Sequence, residues 1–215
     1  MFTLETVHFL QKSITFILAY IPSASFVGWF EAWVANKLGD STGKDHGYLT
    51  LNPYMHVDIF FIVPFILSLP LILTKKLPIN LHNINKPRKN LKIFLLFNSK
   101  SLAHMMILVF SFMMQIIVKF FFTEHHLEMV QLILNSFILL NLVSAAIYLI
   151  NSFVEFLVYY FVPDLSEESG FIQTFIFALP IVIMIAFGNY ITYCVYSSVY
   201  VITMSILKLL HSLFI

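Results

Sequence analysis

The chain has 215 residues, 60% of them hydrophobic and 11% charged, with a formal net charge of +1 and a mean hydropathy of +0.89. Soluble globular domains carry about 25% charged residues, so this composition excludes one, and a charge near zero argues against a nucleic-acid partner. Several apolar runs exceed the roughly 20 residues that cross a bilayer, which predicts an all-α, polytopic transmembrane helical bundle of about five or six spans. We read residues 1–215 as a single domain embedded in the lipid bilayer. The lone Cys194 leaves no disulfide framework and no cysteine metal site.

The first predicted span runs from about Val7 to Leu38 and contains Pro22, which is expected to kink it. Lys12, the run Ser13 to Ile21 and the small residues 23–25 have the outline of a secretory signal. Glu5 and the renewed apolar run Phe26 to Phe30 favour an uncleaved helix instead. A polar island follows at 39–58. Span two, about Ile59 to Thr74, is short and carries Pro64 and Pro70, so it is expected to bend or to cross only in part.

Residues 75–92 hold Lys75, Lys76, Lys86, Arg88, Lys89 and Lys92 with no acidic residue. Such a loop favours a cytoplasmic placement, and binding of anionic headgroups is a competing reading. Span three, about Ile93 to Phe122, is interrupted by Asn98-Ser99-Lys100-Ser101. A turn at Thr123-Glu124-His125-His126 leads into span four, Leu127 to about Ile150, with a further apolar stretch at 153–162 ending at Pro163. Asp164, Glu167 and Glu168 form an acidic loop closed by Gly170. The last 45 residues are expected to make one very long or two short spans, broken near Pro180 or Gly188-Asn189.

Ala32-Trp33-Val34-Ala35, Leu38-Gly39-Asp40, Thr42, Gly47, Leu49-Thr50-Leu51-Asn52-Pro53, His56 and Asp58 form a pattern that resembles the site-2 protease family, in its short bacterial and archaeal branch. A second block, Lys76-Leu77-Pro78-Ile79-Asn80 and Asn83-Ile84-Asn85-Lys86-Pro87-Arg88-Lys89, is similar to the basic loop of the same family. The resemblance implies an intramembrane zinc metallopeptidase scaffold in a bacterial inner membrane. It also implies a loop built on Gly39, Asp40, Asn52, Pro53, His56 and Asp58.

Metal-assisted peptide hydrolysis needs three protein ligands on zinc and an open position for water. His-Glu-x-x-His supplies two ligands and the general base because residues four apart share a helix face. The resemblance places that motif on Val27, Gly28 and Glu31, and the third ligand, an Asp, on Leu149. Val27 has no lone pair for a metal, Gly28 no base, and Leu149 no carboxylate. The family's Gly-Pro and downstream Asn read here as Asn98-Ser99 and Leu102. Zinc is the family's cofactor, but its ligands are absent, and no cofactor is expected.

Other metal-capable groups have blander readings. His56 and Asp58, with His46, offer two imidazoles and a carboxylate, yet Asp58 suits a helix cap and His56 suits loop carbonyls. Glu124, His125, His126 and Glu128 read as a solvated turn, and His104 as a packing residue. Trp29 and Trp33 fit packing or an interfacial belt. Glu31 and Glu155 are ionisable groups inside apolar segments, which normally face a partner or a wet cavity. Glu31 could snorkel toward the end of its helix near Lys37, or mark a hydrated remnant of a catalytic cavity.

These residues predict a catalytically inactive relative of the family that binds or regulates transmembrane client proteins. One alternative is an active metalloprotease with a rearranged site around His46, His56, Asp58 or Glu31. Another is a small transporter or channel drawing on Glu31, Glu155 and the proline-broken spans.

Overall fold

The computed structural model describes residues 3–61, 65–66, 70–84, 86–121 and 128–161, with scattered helical positions between 182 and 212. The described residues are all-helical and contain no named strand. Six helices are α1 (Leu4–Leu38), α2 (Thr42–Asp45), α3 (Pro53–His56), α4 (Lys89–Phe97), α5 (Ser99–Phe121) and α6 (Glu128–Phe161). Short 3-10 turns lie at Ile59–Phe61 and Leu81–Asn83.

Three of the helices, α1, α5 and α6, are long and apolar enough to cross a membrane. The five or six expected spans thus reduce to three among the described residues. The acidic loop, the 123–126 turn and most of the final 45 residues lie outside them. With 35 residues in α1 and 34 in α6, a rise of 1.5 Å per residue gives each about 50 Å, well beyond a hydrocarbon core of about 30 Å. Both must tilt or project.

α1 begins on Thr3, whose hydroxyl accepts from the Thr6 N–H, and ends at Gly39 in the left-handed region with φ of 113°. That conformation favours glycine because it has no Cβ. Pro22 lies within the helix without ending it. The interruption expected within span three is present, as two helices joined at Asn98, whereas the stretch beyond Ile150 continues α6 without a break. Asn151 and Ser152, which read as a polar interruption, are buried inside α6, where the Ser152 hydroxyl donates to Asn98 Oδ1 at 2.8 Å.

Of predicted span two, residues 62–64 and 67–69 lie outside the described residues, and its end is not helical. Residues 70–74 are extended rather than helical, and Val57 and Thr74 form an isolated antiparallel bridge. A non-helical backbone inside a membrane protein needs protein partners for its polar groups. Ser144 Oγ accepts from the Ile72 N–H at 2.8 Å, and Tyr148 donates to the Ile72 carbonyl at 3.0 Å. Tyr20 donates to the Leu73 carbonyl and accepts from the Leu73 N–H. Leu71 and Ile72 are buried among apolar residues of α1 and α6. Pro70, at the start of this stretch, has no N–H to donate.

α5 packs along α6, and α1 lies against both. The buried positions of α5 are mostly small or polar: Ser99, Ser101, Ala103, His104, Ser111 and Gln115. Its outward positions include Met106, Phe110 and Met113. Polar glue inside and apolar side chains outside is the arrangement expected of helices packed in lipid.

Candidate functional site: a polar interior shared by three helices

Asp40 fixes the polar end of α1. Its buried carboxylate accepts from Thr42 N–H at 3.1 Å and from the Thr42 hydroxyl. It also accepts from Asn80 N–H at 2.8 Å and Asn83 Nδ2 at 3.1 Å. Burial pushes this carboxyl upward, but the bonds from Thr42, Asn80 and Asn83 outweigh burial and hold it below its ordinary value. The two sequence blocks that carry the resemblance are therefore tied together through one side chain.

Further along the loop, Asn52 Oδ1 accepts from the Tyr54 N–H and Pro53 opens α3, a capped start of the usual kind. Asp58 accepts from the Phe60 N–H at 2.9 Å, the capping role its position suggests. His56 donates from Nε2 to the Thr50 carbonyl. Burial lowers the His56 pKa from its ordinary value, the Thr50 carbonyl opposes that, and the Lys75 charge adds to the lowering. His56 is thus a neutral, committed side chain. His46 is exposed. Among the described residues no three His, Cys, Asp or Glu side chains gather where they could hold a metal ion.

The imidazole of His56 lies directly on Gly28, so that a Cβ added there would overlap the His56 ring. Gly28→Ala sets two effects against each other. Alanine favours the helix by about 1 kcal/mol over glycine, whereas overpacking costs about 1–3 kcal/mol. Burying a methyl against a ring held by Thr50 should win, leaving a net loss of about 1 kcal/mol. Chemical denaturation checks it, together with the nuclear magnetic resonance signal of the displaced His56.

One turn on from Val27, which is fully buried, Glu31 meets Lys100 of α5 at 3.4 Å. Both side chains are close to inaccessible, at 9% and 12% exposure. Lys37 instead stands over the Trp33 ring at 5.9 Å, at the end of a row of stacked aromatics that includes Phe26, Trp29 and Phe30. Glu31 thus forms a buried ion pair with Lys100 instead of snorkelling toward the end of its helix.

Lys100 also lies over the Tyr148 ring at 5.5 Å, and His104, one turn along α5, stacks on the same ring at 5.4 Å. The Glu155 carboxyl of α6 is within electrostatic reach of Lys100. His104 Nδ1–H donates to Asn141 Oδ1 at 2.8 Å, and Asn141 Nδ2 donates to Ser23 Oγ at 3.0 Å. His104, Asn141 and Ser23 thus connect α5, α6 and α1 in one buried chain. Leu149 is elsewhere, 49% exposed on α6, while its neighbour Tyr148 faces the interior.

Sequence reasoning missed Lys100 and Asn141. The signal for Lys100 was present: a basic residue inside an apolar segment needs an acidic partner, and Glu31 was an unpaired acid in another. Comparisons with family models, curated proteins and solved structures find no match to this chain.

Proposed function

We propose that this chain is an integral membrane protein on a site-2-protease-like scaffold that does not hydrolyse peptides and acts by binding transmembrane segments of other membrane proteins. One observation carries the first half. The α1 positions that the resemblance assigns to zinc ligation and base catalysis hold Val27, Gly28 and Glu31. Gly28 is covered by His56, and the carboxylate of Glu31 faces an ammonium group of the chain itself. A carboxylate paired with lysine offers neither a ligand set nor a free general base.

The binding half rests on the surface left after folding. α5 is the least enclosed of the three long helices. Its exposed Met106, Phe110 and Met113 recur at helical spacing, the pattern by which one helix lays an apolar face against another.

Metal content and co-purification test the two halves. Chelator-washed protein re-equilibrated with zinc should retain no more metal than its His56→Ala variant and should leave transmembrane peptides uncut. In mild detergent it should carry a reproducible set of membrane proteins that is lost from the Met106→Ala, Phe110→Ala, Met113→Ala variant. Stoichiometric zinc in the parent, absent from the His56 variant, would overturn the inactive reading. Partners unaffected by the triple change would overturn the binding face.

A further inference from the structure

We propose that the segment around Lys86, Arg88 and Lys89, with the exposed leucines of α4, is a docking surface for the headgroups of anionic phospholipids. The charge is one-sided: residues 75–92 hold six Lys and Arg and no Asp or Glu. Lys86 and Arg88 are exposed and Lys89 is half-buried. Among the described residues no carboxylate pairs with any of these three. Lys75, by contrast, is spent on the Tyr54 carbonyl.

The position of the segment selects lipid as the occupant. Leu77, Ile84, Ile93 and Leu96 pack against Ala32 and Ala35, which holds the basic stretch at the last turns of α1. That end of α1 carries Trp29, Trp33 and Lys37, residue types that settle at the level of the headgroups. α4 then runs from Lys89 to Phe97 with Leu91 and Leu95 exposed at 52% and 41%. Cations at the entry to a short helix whose leucines face outward suit an interface in which the leucines reach acyl chains and the cations meet phosphates. A soluble acidic partner would satisfy the charges but would leave the leucines in water.

Each Lys or Arg near an anionic surface strengthens attraction by roughly fivefold, so three together give about a hundredfold at low salt. The test uses the full chain purified in neutral detergent and titrated with phosphatidylglycerol or phosphatidylcholine, with bound lipid counted by native mass spectrometry. Phosphatidylglycerol should bind well above phosphatidylcholine. Lys86→Gln, Arg88→Gln, Lys89→Gln should weaken it about a hundredfold, and high salt should do the same in the parent.

Two further variants separate charge from folding. Lys119→Gln, in the last turn of α5, should leave binding unchanged, and Lys86→Arg, Arg88→Lys, Lys89→Arg should preserve it. Equal binding of the two lipids, or undiminished phosphatidylglycerol on the triple Gln variant, overturns the proposal. So does full displacement of the lipid by millimolar inorganic phosphate, which would make the segment a site for the free anion.

Discussion

Replacing Lys100 by methionine should cost about 3–5 kcal/mol of stability, the largest single loss expected in the molecule. The reason is the asymmetry of buried pairs. Lys100 and Glu31 stand 3.4 Å apart with little access to solvent, and their attraction roughly offsets the loss of hydration of both. Removing one partner keeps the desolvation of the other and abolishes the attraction. Losing the ammonium over Tyr148 adds a smaller term, of order 1 kcal/mol, so the stranded carboxylate decides the outcome.

The combination Lys100→Met with Glu31→Gln should recover most of that loss, because it leaves no uncompensated charge. Reversible unfolding in mixed micelles of all four proteins in the cycle measures the coupling directly. A double variant no more stable than Lys100→Met alone would show that the pair acts through packing and not through charge.

Asn141→Leu should cost about 2 kcal/mol. Hydrogen bonds between helices in membranes contribute about 0.6 kcal/mol on average and seldom more than about 1.7, since the separated helices find other partners. Asn141 belongs at the upper end. It is fully buried and bonds to His104 and Ser23 on two different helices. Leucine matches its bulk but leaves the His104 Nδ1–H without an acceptor, which adds an orphaned donor to the lost bonds. Adding His104→Leu removes that donor, and the pair should be closer to the parent than Asn141→Leu alone. The same micelle unfolding assay decides it.

How far the sequence disclosed this arrangement depended on what each residue faced. The long apolar helices were legible from hydropathy, and Gly39 marked the end of α1 through its left-handed backbone. Interior polar residues misled. Asn151 and Ser152 fell between two predicted apolar stretches because hydropathy cannot distinguish a polar group at a loop from one bonded to a neighbouring helix. Asn98 does join two helices, yet Asn151 and Ser152 lie mid-helix, satisfied from inside the bundle.

The end of span two, residues 70–74, departs from a helix for a related reason. Leu71 and Ile72 are buried as a helix would bury them, but the side chains that take over the backbone bonds of this stretch are Tyr20, Ser144 and Tyr148. Nothing local to residues 70–74 announces that. The capping role of Asp58, by contrast, depends only on a residue two positions away and could be read directly.

The extended segment also sets an order on biosynthesis. Ile72 leaves the ribosome 72 residues ahead of Ser144 and 76 ahead of Tyr148, so two of its hydrogen-bonding partners do not yet exist when it reaches the translocon. Tyr20 is available at once, and it bonds to Leu73 of this stretch. A bilayer offers no substitute for the missing partners. Until α6 has been made, this stretch must wait in water, at the interface or against the insertion machinery, and the arrival of α6 is what lets the first half of the chain close.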